Sequence, residues 1–190
     1  MRLTFIAASL ATIALAACGS PDTAEGDAAT DEVAMDSDPV MAGGGESATA
    51  TLMTADGTEV GTVTATGSAG GITVNVEAMN MEPGLHGVHI HETGSCSPDF
   101  AAAGGHWNPD SSTHGLEGDE GQHAGDMPNL DVGADGTGTL QYMLSINAMW
   151  DGLMDADGSA FIVHAGEDDQ MTDPSGDSGD RVACGVFAAG

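Results

Sequence analysis

Apolar and polar positions alternate with a period of two over most of the chain's middle and end. Ala48-Thr49-Ala50-Thr51-Leu52-Met53 opens the pattern, Glu59 to Thr66 continues it, and Ile72 to Met79 alternates cleanly. Residues two apart in an extended chain share a face, so this period predicts strands with one side buried. The Asp-Gly pair within Ala55-Asp56-Gly57-Thr58 predicts a tight hairpin between the first two. Further strands are expected at His86 to His91, Asn129 to Val132, Thr137 to Leu144, Ser159 to His164 and Val182 to Ala188, with a second hairpin turn at Ala134-Asp135-Gly136. Eight short strands separated by turn signals predict an all-β, antiparallel sandwich or flattened barrel. Ser145 to Trp150 fits either a turn of helix or an extended connection.

Two segments interrupt this rhythm, Glu92 to about Met127 and Ala165 to Arg181. Connections this long are uncommon in compact domains and usually carry function. The first is rich in Gly and turn residues, and bound metal would supply cross-links that its composition lacks.

Composition narrows the class. Aromatic residues make up only 4% of the chain and Gly is abundant, which favours a loop-rich β fold over a helical one. There is no Lys; Arg2 and Arg181 face 30 acidic residues. Nucleic-acid binding is excluded, because phosphate neutralisation needs a basic patch.

The first residues read as an address. Met1 to Ala17 holds one early Arg, an apolar run and a small-residue end, the pattern of a secretory signal too short for a membrane span. Leu15-Ala16-Ala17-Cys18 resembles the bacterial lipoprotein cleavage box. That resemblance implies removal of 1–17 and lipidation of Cys18, as the only membrane attachment, in the periplasmic cell envelope and on the outer membrane. Residues 18–46 are rich in Ala, Gly and acids without apolar periodicity, and read as a flexible acidic tether. The β domain then spans 47–190. An odd count of three Cys fits this division: with Cys18 given to lipid, Cys96 and Cys184 remain to pair in an oxidising compartment. No sequence feature specifies an oligomeric state.

The seven histidines lie on the fourth strand, in the first long segment and at the edge of the second. In Val88-His89-Ile90-His91 the two imidazoles share one face of a strand. Between Gly105 and Asp126 fall His106, His114, His123 and a carboxylate. Three imidazoles and one carboxylate make a closed four-coordinate set suited to zinc. An all-nitrogen set from His89, His91, His164 and one ring of the loop suits Cu(II). His106 is the candidate to touch both.

Gly87-Val88-His89-Ile90-His91-Glu92, Gly105-His106-Trp107-Asn108-Pro109, His114-Gly115, His123-Ala124-Gly125-Asp126, Val163-His164-Ala165 and Arg181-Val182-Ala183-Cys184-Gly185-Val186 resemble the signature segments of copper/zinc superoxide dismutases, in order, over about 48–190. The resemblance implies a Greek-key arrangement of the strands with two long functional loops, and conversion of superoxide anion to O₂ and H₂O₂. It implies copper on His89, His91, His106 and His164, and zinc on His106, His114, His123 and Asp126. His106 would be a shared imidazolate that carries a proton when its copper bond breaks. His86 would support the copper site by hydrogen bonding. Asp168, with Asp169 as its neighbour in register, would join His89 to His114. Cys96 and Cys184 would form the family disulfide, and Arg181 would guide the anionic substrate. Trp107 reads as packing. Members of this family usually carry Lys near the site and this chain has none. Its acidity is expected to signal a saline habitat, since at about 1 M salt the screening length is only ~3 Å. The alternative is a copper- and zinc-binding envelope lipoprotein without efficient turnover; the complete ligand set and Arg181 favour the enzyme.

Overall fold

A computed structural model describes residues 45–118 and 121–190. The signal at 1–17, Cys18 and nearly all of the 18–46 tether lie outside the described residues.

The alternating segments form the strands expected of them. They are β1 (Ser47–Thr54), β2 (Glu59–Ser68), β3 (Gly71–Ala78), β4 (Gly84–His86), β5 (Val88–His91), β6 (Leu130–Val132), β7 (Gly138–Met143), β8 (Ala160–His164), β9 (Arg181–Val186) and β10 (Ala188–Ala189). All pairings are antiparallel, in the order β4-β6-β7-β3-β2-β1-β9-β8-β5, with β10 against β1. Neighbours in this order that are distant in sequence, such as β3 with β7 and β1 with β9, require the long crossings of a Greek key. The path's two ends, β4 and β5, are separated in the chain only by Gly87, so the sheet curls round into a nearly closed, flattened barrel.

The number of strands exceeds the sequence expectation for two local reasons. The predicted fourth strand breaks at Gly87, whose N–H donates to Gly166 and whose carbonyl accepts from His164, both at 2.8 Å. One half therefore pairs with β6 and the other with β8. The last predicted strand breaks at Phe187, whose N–H turns to the Ser159 carbonyl at 3.1 Å. The segment left open between Ser145 and Trp150 is a turn, with Ala148 N–H on the Ser145 carbonyl, followed by a single helical turn, α1, at Trp150–Leu153.

The alternation becomes burial directly in β3. Ile72, Val74, Val76 and Ala78 face the core, while Thr73, Asn75 and Glu77 do not. The core is built mainly from aliphatic side chains, among them Leu52, Val63, Val88 and Val163, with Phe161 fully buried and Trp107 nearly so. In β5 and β8 every residue is buried, because the long loops cover their outer faces. That second layer starts with a small cluster of Ala103, Ala160, Ile162 and Cys184 packed by Phe100 and Cys96. Within it Cys96 and Cys184, 88 residues apart, are joined by the disulfide.

Candidate metal centre

β5 aims its two faces at different tasks. Val88 and Ile90 enter the core, and His89 and His91, fully buried, point under the loops. The first long loop runs back along the edge of β5 that β8 leaves free. Trp107 N–H donates to the Ile90 carbonyl (2.8 Å), Ile90 N–H to the Gly125 carbonyl (3.0 Å), and Gly125 N–H to the Trp107 carbonyl (3.0 Å). These bonds place His106 opposite His91 and Asp126 opposite His89. The approach at Gly125 admits no side chain: a Cβ there would lie 2.3 Å from the Ile90 carbonyl oxygen. β8 pairs with β5 and delivers His164 from its end.

The rings of His89 and His106 stack at 3.9 Å between centroids, with His91 4.9 Å from His106 and His164 5.0 Å from His89. One donor atom from each of His89, His91, His106 and His164 lies within 4.8 Å of the others. In three of these rings one nitrogen is committed as a donor. His89 Nε2–H donates to Asp168 Oδ2 at 2.6 Å, His91 Nδ1–H to the Gly104 carbonyl at 3.0 Å, and His164 Nδ1–H to the Gly179 carbonyl at 3.0 Å. The fourth, His106, has Nδ1 at 2.9 Å from Asp126 Oδ1. The remaining nitrogens are His89 Nδ1, His91 Nε2, His106 Nε2 and His164 Nε2; all are buried without a hydrogen-bond partner among the described residues. The tautomers fixed by the outer bonds leave lone pairs on His89, His91 and His164 for a common acceptor.

A second cluster adjoins through His106. His106 Nδ1 and His123 Nδ1 lie 2.9 and 3.2 Å from Asp126 Oδ1 and 3.3 Å from each other; His114 Nδ1 lies 3.2 Å from Asp126 Oδ2. His89 also has a donor atom within 4.8 Å of those of His106, His114 and Asp126. Its Nε2–H is bound to Asp168, however, and its Nδ1 faces the first cluster, while His123 Nδ1 also approaches Asp126 Oδ1, at 3.2 Å. Asp126 is oriented by backbone N–H groups of Gly115 (2.9 Å) and His123 (3.1 Å) on Oδ2.

Asp168 joins the clusters, receiving His89 on one oxygen and His114 Nε2–H on the other at 3.0 Å. Asp169 instead accepts from Thr172 and Met171 in its own turn. Asn129 clamps the Asp168 backbone reciprocally, donating to its carbonyl and accepting its N–H, both at 2.8 Å. Sequence reasoning did not single out Asn129, which reads there as a strand start. His86 lies in the wall: Nδ1 is 2.7 Å from the His164 carbonyl and Nε2 2.8 Å from the Glu82 carbonyl.

Electrostatics follow from burial and partners. Burial lowers His89 to about 3 against the pull of Asp168, and lowers His91 to about 2, with repulsion from a protonated His106 and from the Arg181 charge acting in the same direction. His106 and His164 are lowered for the same first reason. Four rings are thus neutral and able to ligate at neutral pH. His114 goes the other way: burial opposes its charge, but hydrogen bonds to Asp126 and Asp168 outweigh this and raise it to about 9. Both carboxyls resist protonation despite burial, because His106, His114 and His123 hold Asp126 and because His114 and His89 hold Asp168.

Arg181, at the start of β9, is fixed by two 2.6 Å bonds to the carbonyls of Phe100 and Gly104. The Gly104 carbonyl also accepts from His91. Its charge acts on both His91 and His164.

A nearly closed antiparallel barrel carrying two fused His-rich clusters under its loops defines a dinuclear metalloprotein. Residues 59–187 match the family model described as copper/zinc superoxide dismutase (SODC), and the chain belongs to that family. It is 41% identical over 148 residues to a copper/zinc superoxide dismutase of Caulobacter vibrioides, covering 74% of this chain and 85% of that one. Among solved structures it resembles a superoxide dismutase-like protein from Bacillus subtilis (TM-score 0.68, 39% identity, 74% of this chain and 97% of that one). It also resembles the copper/zinc superoxide dismutase of Brucella abortus (TM-score 0.64, 33% identity, 75% of this chain and 100% of that one).

Proposed function

We propose that this chain disproportionates superoxide, two anions and two protons giving O₂ and H₂O₂. Copper would be held by His89, His91, His106 and His164, and zinc by His106, His114, His123 and Asp126. The observation that carries this reading is the set of four buried imidazole nitrogens converging without a partner, each on a ring whose other nitrogen is already engaged. When bound, copper supplies reversible one-electron exchange with superoxide and zinc supplies a fixed, redox-silent charge.

The protein's own groups do the rest. His106 turns Nε2 toward one set and Nδ1 toward the other, so with both metals bound it would serve as a shared imidazolate, a form favoured between two cations. Nε2 is then the atom at which a proton can be held for the product. His89, His91 and His164 are kept in ligating tautomers by Asp168, Gly104 and Gly179. Asp168 ties a copper-side ring to a zinc-side ring, and His86 braces the His164 backbone. Arg181, held rigid by two carbonyls, places its positive charge beside the copper ligands, where it attracts the anion. The rival reading, a metal-binding lipoprotein without turnover, is not favoured, since no expected ligand position lacks its donor.

The disulfide fits an extracytoplasmic protein. For residues 1–46 the reading remains a cleaved signal at 1–17, a lipid on Cys18 and an acidic tether, placing the domain at the outer membrane. Intact mass of the protein isolated from membranes tests this, with Cys18→Ser expected to release it.

The central test is His164→Ala in metal-loaded protein. Dismutation should be lost while zinc stays near one equivalent per chain. Full activity in this variant would overturn the copper assignment.

A further inference from the structure

Asp173 lies in the second long loop, outside both nitrogen clusters, and its side chain is 62% exposed. Its Oδ1 nevertheless accepts the backbone N–H of His114 at 2.8 Å and lies 3.8 Å from Nε2 of His123. Both histidines belong to the first loop. His123 turns Nδ1 inward to Asp126, so Nε2 is its outward nitrogen, and Asp173 is the carboxylate placed against it. Asp168 hydrogen-bonds its two rings directly, whereas Asp173 faces His123 beyond hydrogen-bond length, so that its charge rather than a direct bond acts on the ring. A ligating imidazole passes its second N–H to an acceptor, which fixes its tautomer and raises its basicity. Asp168 and main-chain carbonyls fill that role for His89, His91, His114 and His164. For His123, the carboxylate facing the outward nitrogen is Asp173, at 3.8 Å.

We propose that Asp173 is a positioning residue for the zinc half of the centre. It latches the second loop onto His114 through the backbone bond and sets a negative charge beside the outer nitrogen of His123, and so governs how readily zinc escapes. This rests on the ligand reading given under Proposed function. The backbone bond and the facing ring act together: the first brings the carboxylate to the wall, and the second uses its charge.

The experiment uses the disulfide-bonded chain loaded with zinc, or with Co(II) as a spectroscopic probe of the same ligands. It compares wild type, Asp173→Asn and Asp173→Ala. Zinc transfer to a chromogenic chelator and the visible bands of the cobalt form are measured. Zinc should leave Asp173→Ala about 10- to 100-fold faster, the range for loss of an outer partner of a metal ligand. Asp173→Asn keeps an oxygen for the His114 N–H but loses the charge, so it should fall between the two; it serves as the readout should Asp173→Ala not fold. Both variants should shift the cobalt bands. Wild-type release rates, or cobalt bands unmoved in Asp173→Asn, would overturn the assignment. Wild-type protein that takes up neither zinc nor cobalt would overturn the zinc-site reading itself.

Discussion

His89 and His114 donate to opposite oxygens of one carboxylate, at 2.6 and 3.0 Å. In the proposed ligand sets the two rings serve different metals, so Asp168 would couple the orientation of one set to the other. The coupling depends on a glycine. Gly176 has φ +62° and passes so close that a Cβ would lie 1.7 Å from Asp168 Oδ1 and 2.8 Å from His114 Nε2. Gly176→Ala should therefore reproduce Asp168→Ala, with copper and zinc affinities both about 10- to 100-fold weaker. Competitive chelator titration of the two variants side by side checks this; a change confined to one metal would contradict the coupling.

Arg181 is the sole Lys or Arg among the described residues, in a chain of formal net charge −28. Its attraction is local, whereas the field of the acids repels superoxide. Arg181→Ala should lower kcat/KM about tenfold, within the range of electrostatic guidance. For the wild type, salt should leave the rate unchanged or raise it toward about 1 M, where screening reaches ~3 Å. Stopped-flow measurement against ionic strength gives the sign directly, and a steady fall with salt would contradict it.

The Cys96–Cys184 bridge closes a loop of 88 residues, so its loss should cost roughly 4–5 kcal/mol in the chain-entropy model. It also ties β9 to the loop that carries the Phe100 and Gly104 carbonyls. Cys184→Ser should therefore lower both the thermal midpoint and kcat/KM, the second through a loosened Arg181. Calorimetry and kinetics on one preparation separate the two effects.

Metal-free protein should be most stable near pH 6.5. Below that, the unfolded chain binds protons that the fold refuses, because His89 is held to about 3, His91 to about 2, and His106 and His164 are also lowered. Stability then falls with acid, by up to about 1.4 kcal/mol per pH unit for each such ring. Above it, His114 contributes in the opposite sense: raised to about 9, its stabilisation is full below 6.5 and is lost as pH climbs through 9. Asp126 and Asp168 add a further loss only as pH drops below the ordinary carboxyl range near 3.8. Thermal midpoints of metal-free protein from pH 4 to 9 check the two slopes.

The alternation of Ile72 to Met79 and the His89/His91 spacing were legible because each depends on local geometry alone. The family resemblance supplied the meeting of His164 and Arg181 with the loop. What escaped were long-range effects. The break at Gly87 exists because residues 164 and 166 take up its carbonyl and its N–H respectively. Asn129 and Asp173 act through bonds to residues 39 and 59 positions away, and nothing in a lone Asn or Asp announces that.

The first long loop does more than carry ligands. Its residues Trp107 and Gly125 occupy the free backbone groups of Ile90 in β5, the last strand of the sheet path, and Gly105 takes the N–H of Glu92 just beyond it. An uncovered strand of this kind is a template on which another chain can add. Ions that pin the loop therefore guard a sticky border as well, so starvation for metal and a tendency to aggregate should go together in this protein.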